Sequence, residues 1–110
     1  MIKDTIKKIE ASIKKTGSIN PKKKTEMIKL LSTLKSEIEA LSKTHDEHAQ
    51  SIAGFAEIAS HEATRQEKES HLVTLSLEGL SSSVKGFESS HPQLVETVNE
   101  ICRLLASIGI

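Results

Sequence analysis

Between Leu31 and Ala59, the positions Leu31, Leu34, Ile38, Leu41, His45, His48, Ile52, Phe55 and Ala59 follow one another at alternating intervals of three and four residues. An α-helix turns once in 3.6 residues, so this spacing gathers the side chains into one stripe, whereas a strand would need strict alternation. A seven-residue repeat held this long favours left-handed, supercoiled packing. The phase persists further: Leu31, Ile38, His45, Ile52, Ala59, Gln66, Val73, Leu80 and Phe87 each lie seven apart, and neither Pro nor Gly interrupts the stretch from Phe55 to Glu78. The pattern predicts one long central helix over about 21–88, with 62–70 as the polar stretch where it breaks if it breaks at all. Such a helix would extend on the order of 100 Å. No small monomer can cover a seam of that length, so the pattern calls for a partner chain.

The flanks read as shorter helices. Ile2, Ile6, Ile9 and Ile13 are spaced four, three, four, which predicts a helix over 2–15, with Gly17 as its stop. Asn20-Pro21 reads as an N-cap followed by the first helical position. Leu94, Val98, Ile101, Leu105 and Ile108 form the stripe of a last helix over about 91–108. Ser90-His91-Pro92-Gln93 in front of it matches a capping box, Ser90 being the cap and Gln93 reaching back. The expected fold class is all-α: a helical bundle or coiled coil with one long central helix between two shorter ones, in a single domain spanning 1–110.

Composition narrows the function. The only aromatic side chains are Phe55 and Phe87, too few to offer stacking platforms for bases or sugars. Fifteen basic residues balance fifteen acidic ones, but unevenly: residues 1–24 hold eight Lys against Asp4 and Glu10, a surplus of 8 − 2 = +6, which the remainder cancels. The amino end is therefore basic and the rest acidic, which suits head-to-tail contact or an acidic partner. Cys102 is the only cysteine, so no internal disulfide forms and a reducing, cytoplasmic setting is the natural one. No signal peptide is visible, and no apolar run is long enough to cross a membrane.

The carboxyl-terminal third carries a resemblance. Phe87-Glu88-Ser89-Ser90-His91-Pro92, followed by Leu94, Val98 and the closing Ile108-Gly109-Ile110, resembles an uncharacterised bacterial family of small helical proteins, a domain of unknown function with a terminal F-E-x-S-H-P…L-G-I segment. Ile108 stands where that family usually has Leu. The resemblance implies an all-helical fold in bacteria. It implies no activity, cofactor or functional residue. It also suggests that the carboxylate after Gly109-Ile110 docks into the bundle.

His45 and His48 are the sharpest oddity, because they occupy seam positions that call for apolar groups. Three readings stand open: a polar layer that sets register, a pH-sensitive layer, or a metal site built from imidazoles of one or two chains. Glu57, His61 and Arg65, with Glu67 and His71 nearby, read as an exposed helix face with local ion pairs before they read as a metal site. Lys22, Lys23 and Lys24 in the first turn after Pro21 form a candidate anion or partner patch, set against the plainer reading of a solvated face. Cys102 reads as a small core residue. Nothing assembles a nucleophile, base and acid, so no enzymatic activity and no cofactor are expected.

The reading that follows is a structural or interaction protein that self-associates, as a dimer first and a tetramer second. Its interaction seam would be Leu31, Leu34, Ile38, Leu41, Ile52, Phe55, Leu80 and Phe87. One alternative is a binding module that uses the basic amino end for an acidic partner, another protein or, less readily, nucleic acid. The other is a metal- or pH-responsive bundle centred on His45 and His48.

Overall fold

The structure, a computed structural model, describes residues 2–17 and 19–110. It contains five helices: α1 (Ile2–Lys15), α2 (Pro21–Ser42), α3 (Asp46–Thr64), α4 (Ser70–Ser83) and α5 (Pro92–Gly109). No strand occurs among the described residues. The fold class is all-α.

The long central helix does not form. The segment expected to be one helix is three, with breaks at Lys43–His45 and Arg65–Glu69 and an end at Ser83 rather than 88. End to end, α2 and α3 alone would run about 60 Å, yet the molecule's longest dimension is 37 Å, so the chain folds back. The first break needs neither Pro nor Gly. The amides of Thr44 and His45 both bond back to the Leu41 carbonyl, and His45 leaves helical geometry at φ −137°, ψ 62°. Asp46 and Glu47 then sit in the first turn of α3, where the positive end of the helix dipole favours acids. The second break is the polar stretch already suspected. α4 ends where Gly86 turns the chain at φ +94°, a conformation that excludes ordinary side chains.

At the start of α2, Asn20 Oδ1 accepts the Lys23 amide at 2.9 Å, as the Asn-Pro pair predicts. The cap of α5 departs from expectation. His91, not Ser90, is the capping residue and no side chain caps the helix; Ser90 Oγ lies 3.0 Å from His91 Nδ1, and Gln93 reaches forward to Thr97.

The core explains why a continuous heptad pattern appears in a folded-back chain. Leu31, Leu34, Ile38 and Leu41 of α2, Ile52 of α3 and Leu80 of α4 are fully buried within one molecule, and Phe87 is nearly so. Two arms of a hairpin that face one core carry the same stripe as one helix facing a partner. Among the eight residues expected to form the interaction seam, only Phe55 remains exposed, at 38 %. The seam assigned to contact between chains is thus an internal core.

The α2–α3 and α4–α5 hairpins share a pattern at an offset of 46 residues. Leu31, Leu34, Ile38, Leu41, Thr44, His45 and Ile52 correspond to Leu77, Leu80, Val84, Phe87, Ser90, His91 and Val98. The correspondence extends to geometry. His91 adopts φ −138°, ψ 63°, matching His45. Each His amide donates to the carbonyl four residues back at 2.8 Å, and each Nδ1 meets the preceding hydroxyl, at 2.8 Å for Thr44 and 3.0 Å for Ser90. The packing repeats too: α2 and α4 each touch both α3 and α5, α3 touches α5, and α2 and α4 do not meet among the described residues. Exchanging the hairpins leaves that arrangement unchanged.

α1 breaks the correspondence. It packs on α2 and α3 only, burying Ile6, Ile9 and Ile13. Its neighbour α3 buries Ala49, Ala53, Ala56 and Ser60 at four, three, four spacing, small residues that let a helix approach closely. The Ser60 hydroxyl is buried there without a hydrogen-bond partner.

Candidate functional site

His45 and His48 lie at the break between α2 and α3 rather than within one continuous helix. Both are exposed at the start of α3, their ring centroids 6.1 Å apart. With His91 they surround Phe87, whose ring they meet edge-to-face at 5.5, 5.4 and 5.7 Å. The two turns bring this group together: Phe87 occupies the place of Leu41 in the second hairpin, and His91 that of His45. The arrangement is aromatic packing that closes one end of the bundle. Among the described residues, no three His, Cys, Asp or Glu side chains are arranged to hold a metal ion. Glu57 and His61 lie instead along a groove beside α1, and Arg65 pairs with Glu62 at 2.9 Å. That bond, first among the causes, raises the Arg65 pKa further above its usual value.

The three lysines of α2 do not converge on one point. Lys23 Nζ donates to Ser107 Oγ of α5 at 3.2 Å, and Lys24 Nζ donates to the Lys14 carbonyl at the end of α1 at 3.1 Å. Lys22 is exposed. Two of the three therefore tie helices together rather than wait for an anion.

Cys102 is half-buried on α5, its thiol 3.9 Å from the Leu77 carbonyl, and burial pushes its pKa up to about 11. It lies against α4 through that contact. Ile110 is 69 % exposed, so the bundle's closing contact is made one residue earlier. Gly109 is buried, and a methyl group there would lie 3.0 Å from the Ala63 backbone and 3.1 Å from Val73.

The surface holds one feature that the pattern did not single out. Phe55 and Ile58 of α3 and Leu72 and Leu75 of α4 are 38, 51, 40 and 49 % exposed. The two helices pack side by side, and the Phe55 ring lies so close over Gly79 that any Cβ there would collide with it. Gly79 costs about 1 kcal/mol of helix propensity relative to Ala, and it lets Phe55 lie flat across both helices. Phe55 and Ile58 are neighbours along α3 and Leu72 and Leu75 along α4, each pair three apart, and Ile58 also lines the groove between α1 and α3 with Lys8 and Ile9.

The fold defines a small all-helical bundle. Residues 27–110, from the second turn of α2 through α5, match the model of a domain of unknown function, DUF4404, and the chain belongs to that family. No curated protein and no solved structure matches the chain. No described helix is long and apolar enough to cross a membrane.

Proposed function

We propose that this protein is a structural, self-associating interaction module with no enzymatic activity, and that two copies meet through the exposed α3/α4 face. The observation that carries the reading is the set of four large apolar side chains, Phe55, Ile58, Leu72 and Leu75, left exposed on adjacent helices after the seam is spent inside the chain. Helices of 19 and 14 residues lying side by side present roughly 500 Å² of face, so two copies bury about 1,000 Å², the lower bound of a specific interface. A patch of this kind can meet its own copy about a two-fold axis. Zero net charge removes the general repulsion that keeps strongly charged proteins apart. The free thiol fits a reducing bacterial cytoplasm.

Sedimentation equilibrium tests this. The native protein is expected to dimerise reversibly, and Ile58→Glu or Leu75→Glu is expected to leave a folded monomer. A native protein that stays monomeric at millimolar concentration would overturn the reading.

A second reading rests on Lys3, Lys7, Lys8, Lys14, Lys15 and Lys22, all exposed along α1 and the start of α2. They would attract an acidic partner with an affinity that falls steeply as salt rises. Binding insensitive to salt would dismiss it.

A further inference from the structure

Exchange of the two hairpins maps each packed pair among α2–α5 onto another or, for α3–α5, onto itself, but it maps the seat of α1 onto a surface that no described helix covers. α1 lies over α2 and α3, and the corresponding place lies over α4 and α5. The difference is visible residue by residue at the offset of 46. Ala56 and Ser60, both buried on α3 and Ser60 beside Ile9 and Ser12 of α1, correspond to Cys102 and Ala106, which are only half-buried on α5. Leu31 of α2 is fully buried; its counterpart Leu77 is half-buried. Leu77, Cys102, Ala106 and Ile110 together line a groove of about 330 Å³ between α4 and α5. Ile110 is the most exposed large apolar residue of the described chain, at 69 %. Thr74, Ser81, Glu78 and Arg103 form the polar edges.

We infer that this groove is a docking site for an amphipathic helix of a partner protein, one with an aliphatic stripe at three-and-four spacing and lysines on its flanks. The chain itself demonstrates the mode, because α1 is such a helix and occupies the corresponding groove with Ile6, Ile9 and Ile13 fully buried. A helix laid into an apolar groove by residues at i, i+3 and i+7 is a general way for proteins to recognise peptides. Small side chains at Cys102 and Ala106 permit close approach, as Ala56 and Ser60 do for α1. Residues 70–110 carry Glu78, Glu88, Glu96 and Glu100 against Lys85 and Arg103, a surplus of 4 − 2 = 2 acids that suits lysine flanks, while the groove's own rim holds one charge of each sign, Glu78 and Arg103.

The test uses the full-length protein and a fluorescein-labelled synthetic peptide with the sequence of residues 2–15. Fluorescence anisotropy reads binding, and the rate of Cys102 alkylation by a maleimide reads its location. Saturable binding that slows Cys102 alkylation, and that weakens at least about tenfold in Ala106→Glu and in Ile110→Asp, is the expected result. The second variant alters an exposed side chain and leaves the fold intact. Binding that leaves Cys102 alkylation unchanged would mean that the peptide exchanges with α1 in its own groove, and the proposal would fall. It would fall equally if no saturable binding occurred, or if Cys102 became protected simply by concentrating the protein without peptide.

Discussion

Gly109 illustrates how one missing carbon sets the fit of a whole bundle. A Cβ at this position would sit 3.0 Å from the Ala63 Cα and 3.1 Å from Val73, so any side chain here makes α3 or α4 give way by a few tenths of an ångström. Gly109→Ala gains helix propensity but overpacks three helix ends, and a net loss of about 1–3 kcal/mol is expected in urea unfolding. Ser60 shows the opposite case. Its hydroxyl is buried without a partner, so Ser60→Ala removes a desolvation cost and should raise stability by about 1 kcal/mol; a lower urea midpoint for the variant would show that the hydroxyl is satisfied after all. Cys102 titrates in a window fixed by its burial. The folded thiol holds its proton up to about pH 11, against an ordinary value of 9.0, so folding favours the protonated form. That contribution is complete below pH 9.0 and is lost as pH rises toward 11. The stability gap between the native protein and Cys102→Ala should therefore narrow across that window. A constant gap would mean that the thiol is not desolvated.

Individual helices were legible in the sequence where local chemistry and periodicity agreed. α1 carries its stripe and its stop, and α2 carries an Asn-Pro start whose hydrogen bond is present in the structure. The turn at Thr44-His45 was not legible, because a heptad pattern cannot distinguish one helix from two arms that present the same stripe to one core. Its local signal, a β-branched residue followed by His-Asp-Glu, is weak beside nine seam positions in phase. The same turn recurs as Ser90-His91-Pro92, where Pro makes it plain. The 46-residue correspondence could thus have exposed the hidden break. A consequence for α1 follows from its seat. Ile9 is 1 % exposed, and Ile9→Ala should cost about 2–4 kcal/mol by leaving a cavity against the small residues of α3. If α1 were only loosely associated, the measured cost would stay below about 1 kcal/mol.

The candidate sites were less legible than the fold because a site depends on which residues fold consigns to the interior. Leu31, Leu34, Ile38, Leu41, Ile52 and Leu80 read as a surface seam only while α2, α3 and α4 are taken as one helix; once the chain folds back, they become the core and the residual contact surface shifts to Phe55, Ile58, Leu72 and Leu75. The two architectures differ sharply in solution scattering. A long central helix would give a rod on the order of 100 Å, whereas the folded-back chain has a radius of gyration of 12.9 Å and a smallest extent of 22 Å. Two such bodies joined flat, with centres about 22 Å apart, should give a radius of gyration of about 17 Å. Small-angle scattering over a dilution series is therefore expected to move from about 17 Å toward 12.9 Å as dimer dissociates, and Leu75→Glu should hold the lower value at every concentration. A concentration-independent profile with a maximum dimension far above 37 Å would return the seam to the surface and restore the extended helix.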